Sequence, residues 1–189
     1  MNKTAIGPQI PASPMPVFLV GVLVDNEPNF LAVGWGGCVN RKPPMVSIAL
    51  YHSRYTSKGI KQNGVFSVNV PSVELVKETD FCGIVSGSKI NKTEVCKFNI
   101  FYGEHTKAPM IEQCPLNLEC TVVHTIDLGS HELFIGRIEE THIDEDCLTE
   151  EKPDTDKIKP FVVTTGYTNA YRALNEIIAD AFSVGNELK

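Results

Sequence analysis

Short runs of β-branched and aromatic residues, separated by turn residues, make up most of the chain from residue 16 onwards. The runs at 16–24 and 29–35 flank the turn sequence at 25–28, so they predict a hairpin. Further strands are predicted at 45–51, 65–70, 114–127, 132–144 and 161–165. About seven short strands with few helices favour a closed or nearly closed antiparallel barrel over a β-α-β fold.

Helical periodicity is confined to three places. Residues 56–63 have Thr56 or Ser57 as a candidate N-cap and Gly64 as a C-terminal stop. Residues 73–82 predict a second short helix. Apolar residues at i, i+3, i+4, i+7 and i+8 predict an amphipathic helix over about 169–184, whose apolar face must be covered.

Length and charge restrict the class of protein. The 189 residues are expected to form a single domain with an N-terminal extension at about 1–11. A formal net charge of −6 argues against a nucleic-acid partner. The longest apolar run, 17–24, is too short to span a membrane, and prolines interrupt any secretory signal near the N-terminus. We therefore expect a cytoplasmic protein without membrane association.

The sequence lacks the motifs of metal, nucleotide and hydrolase sites. The six cysteines contain no C-x-x-C pair, so a metal site is not expected. The glycines around Trp35 do not fit a dinucleotide fingerprint, and residues 83–89 miss the P-loop spacing. No G-x-S-x-G or H-E-x-x-H sequence occurs, and residues 144–159 are predicted to be a solvated loop.

Two segments have the composition of an anion site. Arg54 and Thr56 lie between a strand and a helix, where backbone N–H groups and the helix dipole favour an anion. Ser86, Ser88 and Lys92 belong to a second hydroxyl- and lysine-rich loop. The alternatives are that Thr56 is only a helix cap and Lys92 only a solvated lysine.

Two further residues have a structural and a functional interpretation. Trp35 lies among glycines, where a flat ring system could rest against the backbone, although a single tryptophan also suits the core. His131 lies between the two longest predicted strands and could titrate or donate near neutral pH. The alternative for His131 is an exposed turn histidine.

The order of these segments resembles the flavin reductase-like, FMN-binding split-barrel family, and within it the flavoredoxins. The resemblance extends from about residue 12 to the C-terminus. The matching stretches are 29–37, Pro43-Pro44, 54–60, 66–71, 81–87, 129–131 and 134–136.

This resemblance implies a mainly β fold, an antiparallel Greek-key split β-barrel with flanking helices. It also implies a homodimer with FMN near the subunit interface. At the ring end it implies contacts from Asn29 and Trp35, and His131 beside the flavin or a nicotinamide. Close backbone approach is implied at Gly36, Gly37 and Cys38.

At the phosphate end the resemblance implies Arg54, Thr56 and Lys92, with Ser86 and Ser88 on the neighbouring loop. Thr164 departs from relatives that have an aromatic residue there, which leaves open whether Thr164, Tyr167 or Tyr171 touches the flavin.

The function expected from these features is an FMN-dependent oxidoreductase that receives electrons from NAD(P)H or a redox protein. The flavin performs the chemistry, and His131 is the one candidate for a catalytic side chain. The alternatives are a non-catalytic flavin-binding or storage protein, and a split barrel that binds haem or a pyridoxal-type phosphate.

Overall fold

The computed structural model describes residues 2–10, 14–174 and 176–188. Fourteen strands account for most of the regular structure in these residues. They are β1 (Met15–Pro16), β2 (Phe18–Val24), β3 (Glu27–Val33), β4 (Gly36–Arg41), β5 (Pro44–Tyr51), β6 (Val65–Val70), β7 (Ile100–Phe101), β8 (Met110–Ile111), β9 (Leu116–Asp127), β10 (His131–Ile143), β11 (Leu148–Thr149), β12 (Lys152–Pro153), β13 (Phe161–Thr164) and β14 (Ala170–Ala173).

The helices are few and short. They are α1 (Tyr55–Asn63), α2 (Val76–Ile84), α3 (Lys92–Val95) and α4 (Thr155–Ile158), with 3₁₀ turns at Val73–Leu75, Glu145–Cys147 and Val184–Leu188. No helix within the described ranges is both long and apolar enough to cross a bilayer.

The main sheet contains seven antiparallel strands in the order β3-β2-β6-β9-β10-β5-β4. Its apolar side chains pack into one cluster that includes Val22, Ile48, Phe66 and Phe134. The predicted mainly β split barrel is therefore confirmed. The remaining strands form small sheets, of which β1-β13-β14 is the largest.

The first hairpin is confirmed with a tighter turn than predicted. Strands β2 and β3 pair from Phe18 opposite Val33 to Val24 opposite Glu27. The loop is only Asp25 and Asn26, both with positive φ (52° and 69°). Two-residue turns of this kind suit the twist of a hairpin, so β3 begins two residues earlier than the sequence suggested.

Helix α1 begins earlier than predicted and is not capped by Thr56 or Ser57. The N-cap position is Arg54, whose side chain makes no capping hydrogen bond. Thr56 is instead buried in the first turn. The C-terminal prediction is confirmed, since Gly64 has a φ of 68° and its N–H donates to the Ile60 carbonyl.

The predicted helix over 169–184 is wrong. Residues Ala170–Ala173 form strand β14 on β13, and the described residues from 176 to 183 are not helical. Ile178 and Phe182 are 92% and 106% exposed, so these two side chains of the apolar stripe do not pack against the part of the chain that the structure describes. Without such packing, a helix of this length is marginal in water.

The acidic segment 144–159 is more ordered than a solvated loop. It forms the β11/β12 hairpin and helix α4. Cys147 and Ile158 are buried, although most of the segment is exposed. These two apolar contacts are enough to fix a short segment whose composition is otherwise that of a loop.

Candidate functional site

Three adjoining cavities form a groove along the edge of the main sheet. The central cavity, of about 340 Å³, lies where β3 and β5 meet the start of α1 and the loop after α2. It shares Leu31, Tyr51 and Arg54 with a second cavity of about 200 Å³. It shares Asn29, Tyr55, Gly87 and Lys92 with a third cavity of about 360 Å³.

Asn29 and Thr56 meet in the wall of the central cavity. Asn29, on β3, is 5% exposed, and its Nδ2 donates to the Thr56 Oγ1 at 2.8 Å. The Thr56 side chain therefore links the first turn of α1 to the sheet. The structure places Asn29 with Thr56 and Lys92, whereas Trp35 and His131 line the second cavity.

Gly87 brings the serine-rich loop against Asn29. A Cβ at Gly87 would overlap the Asn29 Oδ1, so a larger residue would displace the loop or the Asn29 side chain. Ser86 faces the central cavity and Ser88 the third cavity, and their Oγ atoms are 2.9 Å apart. The loop therefore presents two hydroxyl groups along the groove.

Lys92 is a buried cation in this groove. It is 3% exposed, and its Nζ donates to the carbonyl oxygens of Phe30 (2.8 Å) and Cys82 (2.7 Å). The interpretation of Lys92 as a solvated lysine is therefore wrong. Burial lowers the pKa of the ammonium, and nearby Arg54 also lowers it.

Among the ion pairs of the described residues, none joins Lys92 to an acidic side chain. Carbonyl oxygens solvate an ammonium but do not cancel its charge. The residues that line the central cavity include two cationic side chains, Lys92 and Arg54, and no acidic one, which suits a phosphate or another anion.

Three aromatic side chains lie together in the second cavity. The His131 ring lies 4.6 Å from Trp35 and 3.9 Å from Tyr51, measured between ring centroids. His131 is 8% exposed, and its Nδ1 lies 2.8 Å from the Ser130 Oγ. His131 is thus a buried residue at the start of β10 and not an exposed turn histidine.

Tyr51 is a cavity residue that the sequence analysis missed. It is 50% exposed and lies opposite His131 in the β5/β10 register. The sequence analysis did place Tyr51 at the end of the predicted strand 45–51. Without the pairing register, however, nothing connected that residue to His131.

Gly36, Gly37 and Cys38 lie on β4 and do not line the three cavities. A Cβ at Gly36 would lie 2.7 Å from the Ser47 carbonyl oxygen, so strand packing explains this glycine. Gly37 faces open space and Cys38 is exposed. Their approach to a cofactor stays a prediction.

The resemblance found in the sequence is confirmed by comparison with known proteins. Residues 11–172 match the family model described as the flavin reductase like domain. The structure is similar to flavoredoxin from Methanosarcina acetivorans, with 40% identity, a TM-score of 0.94 and complete coverage of both chains. It is also similar to flavoredoxin of Desulfovibrio vulgaris (Miyazaki F), with 33% identity, a TM-score of 0.90 and coverage of 97% of this chain and 100% of that one.

A more distant structure shares the fold alone. This is an FMN-binding protein from Thermus thermophilus, with 21% identity, a TM-score of 0.79 and coverage of 95% of this chain and 100% of that one. The chain belongs to the flavin reductase like family.

The residues present fit the flavin cofactor that the family implies. A flavin mononucleotide needs a flat apolar ring site next to an anion site. The second cavity supplies aromatic rings, and the central cavity supplies the buried ammonium of Lys92 and the guanidinium of Arg54.

Proposed function

We propose that this protein binds FMN and transfers electrons through it, as an oxidoreductase of the flavoredoxin or flavin reductase type. The observation that carries this proposal is the buried Lys92, which lines with Arg54 a cavity that adjoins an aromatic one. A bound flavin supplies the electron-transfer chemistry, while the protein orients it and sets its potential.

The two ends of the groove have separate tasks in this proposal. Lys92, Arg54 and Thr56, with Ser86 and Ser88 on the adjoining loop, hold the phosphate. Charge-assisted contacts of this kind are stronger than neutral hydrogen bonds. Asn29 holds the Thr56 hydroxyl in place from the sheet side.

At the ring end, Trp35, Tyr51 and His131 provide flat apolar surface. His131 has one ring nitrogen beside the Ser130 hydroxyl, which fixes the orientation of its imidazole. The other nitrogen is then available to form a hydrogen bond with a ligand in the second cavity.

Absorption spectroscopy and ligand titration test this function. Purified protein is expected to show flavin bands near ~450 nm that are bleached by a suitable electron donor. NADH, NADPH and a reduced redox protein should be compared as donors. A protein that binds FMN but accepts electrons from none of them would support the storage alternative, and a haem spectrum would overturn the proposal.

We also propose a homodimer. Several apolar side chains near the C-terminus are exposed in a single chain, including Ile177 (78%), Ile178 (92%) and Phe182 (106%). A second copy is a partner that could cover them. Light scattering should give about twice the 20.8 kDa chain mass, and a flavin-loaded monomer would contradict this assembly.

The free state of the cysteines supports a reducing, cytoplasmic location. All six cysteines are free thiols, and four of them are buried. Free thiols are typical of reducing compartments.

A further inference from the structure

Two cysteines, Cys82 and Cys96, lie at the two ends of the segment that contains Lys92. Cys82 lies in α2 and is 0% exposed, whereas Cys96 directly follows α3 and is half-buried. Cys96 packs against the apolar cluster to which Cys82 belongs, and the two thiols are close enough to shift each other's pKa. The Cys96 Sγ also lies 4.0 Å from the Glu78 carbonyl oxygen on α2.

These two cysteines bracket the segment 83–95. That segment contains the serine-rich loop and Lys92, whose Nζ donates to the carbonyl oxygen of Cys82 itself. A covalent bond between the two sulfurs would therefore close a loop around one wall of the central cavity.

We propose that Cys82 and Cys96 are a reversible dithiol–disulfide site, oxidised by exchange with a low-molecular-weight disulfide such as oxidised glutathione. The bond ties the end of α2 to the end of α3 and restrains the segment 83–95. The site uses no atom of a flavin, so it stands or falls separately from the proposed function.

The exchange proceeds in two balanced steps. The more accessible Cys96 loses its proton and attacks one sulfur of the disulfide, forming a mixed disulfide and releasing one thiolate, which takes up a proton. The Cys82 thiolate then attacks the Cys96 sulfur and releases the second thiol. The protein loses two electrons and two protons, and one disulfide becomes two thiols.

The surroundings of the two thiols set the rate of this exchange. Burial raises the pKa of the Cys82 thiol to about 12, and burial also raises that of Cys96. Because the thiolate is the attacking species, exchange is expected to be slow at pH 7 and faster at pH 9. The packing of Cys96 against the cluster that contains Cys82 favours the second step once Cys96 has reacted.

Peptide mapping of the folded full-length protein after incubation with oxidised glutathione tests the site. The expected product has lost ~2 Da, two hydrogen atoms, after exchange. Trypsin should release peptide 78–89 linked to peptide 93–97, which are separate in the reduced protein. Cys120 is buried in the barrel beside Glu119 and Glu139, and it serves as an internal control that stays reduced.

Single variants identify the order of attack. Cys82→Ser should stop at a Cys96–glutathione adduct, whereas Cys96→Ser should leave Cys82 reduced. In the wild-type protein, tryptic cleavage of the folded chain after the exposed Lys89 should become several-fold slower on oxidation and recover with a reducing agent.

Two results would overturn the proposal. One is a link from Cys82 to Cys114, a buried thiol of the same apolar cluster. The other is modification of the exposed Cys38 while Cys82 and Cys96 remain free thiols. Because these readouts are masses and cleavage rates, they do not depend on whether FMN binds.

Discussion

Two buried charges of opposite sign, Glu119 and Lys92, have very different hydrogen-bond partners in this fold. Glu119, on β9, is 0% exposed, and its carboxylate accepts hydrogen bonds from His142 Nε2 (2.9 Å) and from the backbone N–H groups of His105 (3.1 Å) and Thr106 (2.7 Å). Burial alone would raise the pKa of Glu119, but these donors together lower it. The carboxylate is thus satisfied within the chain.

Lys92 is just as buried but is satisfied only by two neutral carbonyl oxygens. Its ammonium has three N–H donors, and the hydrogen bonds of the described residues give acceptors to two of them. Glu119 fastens the segment around residue 105 to the barrel, whereas Lys92 faces a groove. The comparison separates a charge whose partners all belong to the fold from one that we propose binds the phosphate of a ligand.

The largest effect is expected for Glu119→Ala. This change leaves two backbone N–H groups and His142 without their acceptor, and removal of one partner from a buried charged network costs about 3–5 kcal/mol. Urea unfolding should show this loss. FMN affinity of the folded fraction should stay unchanged, because Glu119 does not line the described cavities.

The control for this prediction is Glu140→Ala. The Glu140 side chain is 51% exposed, and its contact with His105 is long, at 3.9 Å. Removal of this surface ion pair should lower the free energy of unfolding by at most ~1 kcal/mol. A tenfold loss of FMN affinity in folded Glu119→Ala protein would show that the two charges are not separate in function.

The next largest effect is expected for Lys92→Met, which should weaken FMN binding. Loss of a charge-assisted contact to phosphate costs about 1.5–3 kcal/mol, roughly ten- to a hundredfold in FMN affinity. Riboflavin, which has no phosphate, should bind almost as before. Stability should change less than in Glu119→Ala, because a buried charge is replaced by an apolar side chain of similar length.

Isothermal titration with both ligands measures this difference. Lys77→Met, at an exposed position of α2, is the matched control for loss of one positive charge. If riboflavin weakens as much as FMN, Lys92 supports the ring or the fold and not the phosphate.

The barrel could be predicted from sequence to a large extent because six of its seven strands have their own local signal, whereas β4 (Gly36–Arg41) was not predicted. The β2/β3 hairpin follows from two apolar runs that flank a turn sequence, and the end of α1 follows from a glycine that tolerates positive φ. The helix predicted over 169–184 failed for a physical reason. Periodicity describes an apolar stripe, but packing is needed to stabilise the helix, and Ile178 and Phe182 are exposed among the residues that the structure describes.

The sequence predicted many of the residues of the candidate site, but it did not predict all the contacts that bring them together. Arg54, Thr56, Ser86 and Lys92 share one cavity as expected. The burial of Lys92 depends on carbonyl groups of β3 and α2, far away in sequence, so no local pattern reveals it. Tyr51 required the β5/β10 register for the same reason.

A smaller effect is expected for Thr56→Val. The change removes the oxygen that accepts a hydrogen bond from Asn29 and leaves a buried amide without that partner. A neutral hydrogen bond contributes about 0.5–1.5 kcal/mol, so FMN affinity should fall roughly two- to tenfold. Thr56→Ser keeps the hydroxyl and should restore most of the affinity. Equal losses in the two variants would show that packing of the methyl group matters more than the hydroxyl.

The smallest effect is expected at the aromatic end of the groove, for His131→Asn. An imidazole beside Trp35 and Tyr51 can carry positive charge next to a reduced ring, so its removal should shift the flavin midpoint potential to more negative values. We expect ~10–20 mV, which is below ~1 kcal/mol for two electrons. Redox titration measures the shift, and His124→Asn, at an exposed position of β9, is the matched control. An unchanged potential with FMN still bound would leave His131 as a packing residue between two aromatic rings.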